Sequence, residues 1–160
     1  MSLPDFTRDG YLPPGIHAAS LSEVQARFGT GSPARQRQIG LLQQVMEAAR
    51  AYPTIKRALL WGSFVTVKRE PNDLDYSVVG SVLHQRTLVA PENRRFFVPF
   101  EARQFYGVDR NYLVIPDYPL EFYTERLDFL CQSRQAVACG VVEINVRGEY
   151  RQAVTAGESL

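Results

Sequence analysis

Residues 58–79 read ALLWGSFVTVKREPNDLDYSVV, and this stretch decides the fold. Its apolar start, residues 58–61, stops at Gly62, as expected for a buried strand that runs into a tight turn. A backbone bend at that point presents N–H groups beside the Ser63 hydroxyl, and such groups suit anionic oxygens. The stretch therefore predicts a strand followed by an anion-binding turn at Gly62 and Ser63.

The end of the same stretch predicts a second strand over residues 73–79. Because side chains alternate along a strand, Asp73 and Asp75 share one face, and a rise of about 3.3 Å per residue puts their Cα atoms roughly 6.6 Å apart. Two carboxylates this close repel each other unless a cation neutralises them. Mg²⁺ accepts one or two carboxylates together with substrate phosphates, and a pair of such ions can activate an attacking oxygen and stabilise the leaving one.

Few other metal ligands accompany these carboxylates. The chain has two cysteines, Cys131 and Cys139, without the close pairing of a zinc site, and only two histidines. Carboxylate oxygen is therefore the expected ligand type. That ligand type favours Mg²⁺ or Mn²⁺ over zinc.

A glycine-serine turn, a short spacer and an Asp-apolar-Asp strand together resemble the signature of the nucleotidyltransferase superfamily, in its minimal DNA polymerase β-like form. The resemblance implies that Gly62 and Ser63 hold the triphosphate tail of a nucleotide and that Asp73 and Asp75 bind Mg²⁺. Two further stretches, GYLPPGIH and GVVEINVRGEY, resemble a poorly characterised bacterial family of small nucleotidyltransferase-like proteins. This second resemblance assigns no substrate.

The superfamily places a third carboxylate beside the first two, and the chain offers two candidates. Asp109 opens an apolar run that ends at Ile115, so we expect it at or near the end of a strand, as a metal ligand or as the base that deprotonates the acceptor. A turn residue after Gly107 is an equal alternative. Glu143 is the second candidate, on a strand face that points either to solvent or to the cleft.

Two cations lie between the turn and the aspartates. Lys68 and Arg69 are placed where a cation can meet a triphosphate. Lysine and arginine are also common on solvated surfaces. We therefore predict nucleotide contacts for Lys68 and Arg69, with a solvent-facing position as the alternative.

Helix start and stop signals recur along the chain. Ser20 and Glu23 have capping-box spacing, and Ser32 followed by a proline predicts the cap and first turn of a longer helix. A later helix is expected to break or bend at Pro99, and another follows Pro119. Strands thus alternate with helices, which predicts an α/β (α+β) fold with helices against a small mixed sheet of four or five strands.

The organisation predicted for the chain is a single domain. Residues 1–19 are rich in proline and glycine and read as an extended N-terminal arm, residues 20–150 as the nucleotidyltransferase-like domain, and residues 151–160 as a C-terminal tail. The length of 160 residues and the 45% hydrophobic content suit one core. The superfamily resemblance implies at least one antiparallel strand pair.

The net charge and the hydropathy of the sequence limit the classes of partner that we expect. A formal net charge of +1 gives no polyelectrolyte character, so nucleic acid is not favoured, although a local basic patch stays open. No apolar stretch approaches the roughly 20 residues that span a bilayer, and no signal-peptide pattern opens the sequence. We therefore expect a cytoplasmic protein without a membrane segment.

These observations predict a metal-dependent nucleotidyltransferase that binds a nucleoside triphosphate such as ATP and transfers a nucleoside monophosphate to an unknown acceptor hydroxyl. The alternative is a catalytically degenerate relative that binds a nucleotide or a partner. Few residues follow Arg147, so we expect the arm, a homodimer partner or another protein to hold the acceptor. The resemblance also implies a link to toxin–antitoxin or defence modules.

Overall fold

Helices cover both faces of a five-stranded sheet in this computed structural model, which describes residues 2–80, 88–110, 112–133 and 135–148. Over these ranges the strands are β1 (Gly15–Ala19), β2 (Ile55–Trp61), β3 (Asp75–Gly80), β4 (Val114–Ile115) and β5 (Gly140–Asn145). The helices in the same ranges are α1 (Leu21–Phe28), α2 (Pro33–Arg50), α3 (Arg94–Phe97), α4 (Pro99–Tyr106) and α5 (Leu120–Leu130). The predicted α+β fold with a small mixed sheet is confirmed. The expected tail, residues 151–160, lies outside the described residues.

The strand order is β1-β5-β2-β3-β4. The central strand β2 is antiparallel to both β3 and β5, with Trp61 opposite Asp75 and Leu60 opposite Val142. The two outer pairs, β1 with β5 and β3 with β4, are parallel. As a result, the end of β2 and the starts of β3 and β5 meet at one edge of the sheet.

The alternation of side chains divides the core into two parts. Tyr76 and Val78 belong to the larger cluster, which includes residues of α1, α2, α3 and α4. Leu59 and Val79 belong to a smaller cluster with Tyr123 of α5. Asp75 alternates with Tyr76 along β3, so it lies on the α5 face of the sheet.

The predicted helix starts are confirmed. The Ser20 hydroxyl accepts from the backbone N–H of Glu23 at 3.1 Å, and the Glu23 carboxylate accepts from the Ser20 N–H at 2.7 Å. Ser32 caps α2 in the same way, with a proline as its first residue. Pro99 begins α4 directly after α3, which is the predicted break.

One strand boundary differs from the prediction, and the expected arm contains a strand. β3 begins at Asp75 rather than at residue 73. Residues 15–19, placed in the arm by the sequence, form β1 and pair with β5. The pairing is not visible in the sequence because β1 and β5 are more than 100 residues apart, so only the folded chain brings their hydrogen-bonding groups together.

Candidate functional site

A cavity of about 640 Å³ opens at the sheet edge where β2 ends and β3 and β5 begin. That volume lies within the usual range for small-molecule sites. Six of the predicted site residues line it: Gly62, Ser63, Lys68, Asp73, Asp75 and Asp109. The structure therefore brings the glycine-serine turn and the carboxylates to one place.

Gly62 allows the close approach of β2 and β3 in this cavity. Its φ of 75° lies in the left-handed region, and a Cβ atom at this position would overlap the Asp75 carboxylate. Any other residue would therefore be strained and would collide with that side chain. A short 3-10 turn, Ser63–Val65, follows the glycine. The Ser63 hydroxyl makes no hydrogen bond with the described residues and lines the cavity.

The chain between the turn and the aspartates is fastened by one face of α2. Ser32, Arg35 and Gln38 lie three residues apart along this helix, so their side chains share a face. The Ser32 hydroxyl donates to the carbonyl of Arg69 at 2.8 Å, and the Gln38 amide donates to the carbonyl of Pro71. These contacts fix a loop that has no regular secondary structure of its own.

Arg35 makes the largest share of these contacts. Its guanidinium is buried and donates to four backbone carbonyls, those of Phe28 at 3.1 Å, Phe64 at 2.9 Å, Thr66 at 2.8 Å, and Lys68. Burial lowers its pKa from the ordinary value, yet an arginine stays protonated in proteins. This role of Arg35 was not predicted from the sequence. The only signal was the spacing of Arg35 and Gln38 on an otherwise apolar helix face.

The two aspartates of the motif differ in their surroundings. Asp73 is exposed in the loop before β3, whereas Asp75 is half-buried as the first residue of that strand. Because β3 starts at Asp75, the strand spacing expected for the pair does not apply to Asp73. Both side chains still line the same cavity.

A buried arginine lies beside Asp75. The Nη1 atom of Arg110 is 3.6 Å from Asp75 Oδ1, and the same nitrogen donates to the carbonyl of Leu74. The arginine side chain is only 6% exposed. Its guanidinium carbon lies 4.2 Å from the ring centre of Tyr106 and 5.8 Å from that of Tyr76, which fits cation–π contacts. The pairing of Arg110 with Asp75 was not predicted from the sequence.

The third carboxylate is less firmly placed. Asp109 lines the cavity, but its Oδ1 atom pairs with Nε of Arg103 at 3.2 Å, and the two side chains are about 70% exposed. The prediction that Asp109 lies at or near the end of a strand is also wrong, because β4 begins five residues later, at Val114. Within the described ranges, no three His, Cys, Asp or Glu side chains are grouped closely enough to hold a metal ion.

The alternative third carboxylate points elsewhere. Glu143 pairs with Arg57 at 3.3 Å across neighbouring strands, and Arg57 lies over the ring of Tyr123 in α5. Glu143 is not among the residues that line the cavity. Its charge is therefore used within the sheet rather than in the cleft.

Lys68 and Arg69, the two cations predicted to contact a nucleotide, also differ in whether they line the cavity. Lys68 lines the cavity, whereas Arg69 does not. The backbone carbonyl of Arg69 accepts the hydrogen bond from Ser32. Of the pair, Lys68 is thus the cation that can reach a ligand in this cavity.

The N-terminal arm completes the cavity wall. Val67 N–H donates to the carbonyl of Gly10 at 3.0 Å, and Gly140 N–H donates to the carbonyl of Leu12 at 3.0 Å. The Tyr11 hydroxyl donates to the side-chain oxygen of Gln135 at 3.2 Å. The arm therefore links the loop after Gly62 to the start of β5, and all these segments line the cavity.

The residues present can accommodate Mg²⁺. Two aspartates are enough for this ion when substrate phosphates supply further oxygens. Asp73 and Asp75 provide those two carboxylates at the cavity wall, beside the Gly62 turn. Three clustered carboxylates, the richer ligand set that the resemblance implied, are not found among the described residues.

Comparison with known proteins places the chain in a family. Residues 4–145 match the family described as "Family of unknown function (DUF6932)", and the chain belongs to it. No curated protein and no solved structure matches the chain. Among the helices that the structure describes, none is long and apolar enough to cross a membrane. The resemblance to nucleotidyltransferases therefore depends on the residues of the cavity itself.

Proposed function

We propose that this protein is a metal-dependent nucleotidyltransferase, which transfers a nucleoside monophosphate from a nucleoside triphosphate to an acceptor hydroxyl. One observation carries the proposal. The turn at Gly62 and Ser63 and the carboxylates of Asp73 and Asp75 line a single cavity, with the backbone of Gly62 against the Asp75 side chain. A polyphosphate and a divalent cation can meet in such a place.

The chain's own groups divide the work of binding. The Ser63 hydroxyl and the backbone N–H groups of the turn would donate hydrogen bonds to the phosphate oxygens, and Lys68 would add a positive charge. Mg²⁺ held by Asp73 and Asp75 would neutralise phosphate charge. These groups position the triphosphate and leave its α-phosphorus open to attack.

The reaction balances as a substitution at the α-phosphorus. The acceptor oxygen forms a bond to that phosphorus, the bond to the β-phosphate oxygen breaks, and pyrophosphate leaves. Asp109 would take the acceptor's proton, and its position supports this role because it lines the cavity and is largely exposed. A cytoplasmic location would supply both Mg²⁺ and nucleoside triphosphates. The acceptor would be held by a homodimer partner or another protein, as in a toxin–antitoxin or defence module.

A second candidate function is nucleotide or partner binding without transfer. Two observations favour it. Arg110 pairs with Asp75, and Arg103 pairs with Asp109, so two of the three predicted carboxylates already face a cation. Three clustered carboxylates are also missing from the described part of the chain.

Separate measurements of binding and transfer distinguish the two candidates. Equilibrium dialysis with ATP, GTP, CTP and UTP, with and without Mg²⁺, measures binding. Incubation with the α-³²P-labelled triphosphates, alone and with a protein or RNA extract, measures transfer. We expect binding that needs Mg²⁺, and label on an acceptor. Binding without label would support the second candidate. The absence of nucleotide binding would refute the first candidate and the nucleotide-binding form of the second.

Matched variants assign the effect to the cavity. Asp73→Asn and Asp75→Asn should each weaken Mg²⁺-dependent binding by about tenfold or more, because each removes a carboxylate that faces the cation. Asp128→Asn is the control, since Asp128 is exposed on α5 and does not line the cavity. Equal losses in all three variants would contradict a specific site.

A further inference from the structure

A buried positive charge lies at Arg110, next to the Asp75 carboxylate that lines the cavity. Its side chain is 6% exposed and lies beside the Asp75 carboxylate, with Nη1 3.6 Å from Oδ1. A guanidinium removed from water in this way needs an anion and hydrogen-bond acceptors close by. Asp75 and the carbonyl of Leu74 supply them. The ring of Tyr106, 4.2 Å from the guanidinium carbon, covers the charge further.

Two edges of the Asp75 carboxylate therefore face different neighbours. Oδ1 faces Arg110, and Oδ2 is the oxygen nearest to where a Cβ of Gly62 would stand. The Arg110 guanidinium therefore lies on the Oδ1 side of the carboxylate, and Oδ2 lies beside the turn at Gly62.

The same arrangement limits how many divalent ions the cavity can hold. Two ions about 3.5–4 Å apart need carboxylate oxygens that both ions can share. In this protein Oδ1 of Asp75 faces the permanent positive charge of Arg110, and Asp109 pairs with Arg103. A second ion at Oδ1 would meet direct repulsion from the guanidinium.

We propose that Arg110 takes the place of a second metal ion, so that the cavity binds one divalent cation per nucleotide. The proposal rests on the nucleotide-binding function above and deepens it. Arg110 neutralises one carboxylate from within the protein, and the single divalent ion accompanies the triphosphate at Asp73 and the Oδ2 side of Asp75. The negative charge in the cavity is then neutralised partly by Arg110 and only partly by the metal ion.

The test counts manganese and nucleotide bound to the same chain. Mn²⁺ and the α,β-methylene analogues of ATP, GTP, CTP and UTP are equilibrated with the protein by dialysis, and both are measured per chain at saturating Mn²⁺. The expected ratio is one Mn²⁺ for each bound nucleotide. A ratio of two would overturn the single-cation proposal and leave the proposed function intact. The absence of any bound nucleotide would overturn the proposed function, and this proposal with it.

Variants then test whether Arg110 is the cause. In Arg110→Met the second cation site should open, and the ratio should rise to two with a gain of about tenfold or more in Mn²⁺ affinity at that site. Arg110→Lys keeps the charge and should keep the ratio at one. A ratio of one in a folded Arg110→Met protein would overturn the role of Arg110.

A matched control removes an arginine that also makes cation–π contacts, but with other rings. Arg95 lies over the rings of Phe96 and Phe105 at 4.8 and 5.1 Å, is exposed, and does not line the cavity. Arg95→Met should leave the ratio at one. If Arg110→Met fails to fold, the wild-type ratio and Arg110→Lys still decide, because two ions in either protein contradicts the proposal.

Discussion

Two walls of the same cavity are held in very different ways. The loop from Gly62 to Asp73 is fastened to α2 by buried hydrogen bonds from Ser32, Arg35 and Gln38 to its backbone. The segment that carries Asp109 presents its carboxylate to solvent, where it pairs with the exposed Arg103. One wall is therefore rigid before any ligand arrives, and the carboxylate of the other is free to reorient at little cost.

Neighbouring residues in the second wall make the contrast sharper. Asp109 is about 70% exposed, while the side chain of Arg110, the next residue, is 6% exposed. A residue's distance from the cavity is thus a poor guide to how firmly it is held. Burial and the number of hydrogen-bond partners decide that instead.

The largest expected effect comes from removing the fastening of the first wall. Arg35→Met should lower the free energy of unfolding by about 3 kcal/mol, because it leaves four backbone carbonyls without their buried donor. Urea unfolding followed by circular dichroism measures it. Arg37→Met, on an exposed position of the same helix, is the control and should change stability by less than about 0.5 kcal/mol. Similar losses in the two variants would contradict the fastening.

The next effect tests the turn itself. Gly62→Ala should destabilise the protein by about 2 kcal/mol or more, because it adds left-handed strain and a collision with Asp75. The same unfolding assay applies. Gly31→Ala is the matched control, since Gly31 also has a positive φ, of 94°, but has open space where a Cβ would stand. We expect a loss of about 1 kcal/mol there, from strain alone. Equal losses would remove the collision from the explanation.

A third prediction concerns how the free energy of unfolding depends on pH through two buried tyrosines, Tyr76 and Tyr106. Burial raises the pKa of Tyr76 and of Tyr106 above the ordinary value of 10.0, and their hydroxyls are 2.9 Å apart. Because the folded-state pKa of each tyrosine exceeds the unfolded one, the protonated hydroxyls contribute stability to the folded protein. That contribution is fully present below pH 10 and is lost as the pH rises toward the folded pKa. The unfolding free energy should fall by about 1.4 kcal/mol per pH unit for each tyrosine in that window.

Phenylalanine variants check the assignment. Tyr106→Phe should flatten the fall in stability above pH 10, as measured by urea unfolding at a series of pH values. Tyr118→Phe is the control, because Tyr118 is 82% exposed and should leave the slope as it is in the wild type. An unchanged slope in Tyr106→Phe would assign the alkaline loss to other groups.

The smallest expected effect lies at the exposed carboxylate. Asp109→Asn should change the unfolding free energy by less than about 0.5 kcal/mol, because an exposed ion pair contributes little. Its effect on nucleotide transfer, measured with the labelled triphosphates, should instead be large if Asp109 takes the acceptor's proton. A stability loss as large as that of Arg35→Met would show that the two walls are held alike.

Much of the fold could be predicted because its signals are local. The capping box at Ser20, the proline after Ser32 and the break at Pro99 depend on neighbours within one helical turn, and all three are confirmed. Strand edges were less accurate. Asp73 belongs to a loop because the neighbouring chain is held by α2, and no local signal in residues 71–75 reveals a contact with Gln38.

For the site, the sequence identified residue types but not how they are held. Gly62, Ser63, Lys68, Asp73, Asp75 and Asp109 were predicted from the motif and its surroundings, and they do line one cavity. Arg69 was as plausible as Lys68 from the sequence, and Glu143 was the second candidate for the third carboxylate, yet neither lines the cavity. The buried contacts of Arg35 and Arg110 were not predicted, because the sequence does not show whether an arginine is buried or exposed.

The sequence by itself determined the α+β class, the helix starts and the turn at Gly62, since these follow from side-chain periodicity and backbone sterics within a few residues. Only the tertiary structure decided that Arg35 supports the loop, that Arg110 pairs with Asp75, and that Asp109 faces solvent. These outcomes depend on which groups, distant in sequence, are desolvated when the chain packs. That is a property of the folded chain, because desolvation is set by packing between segments far apart in sequence.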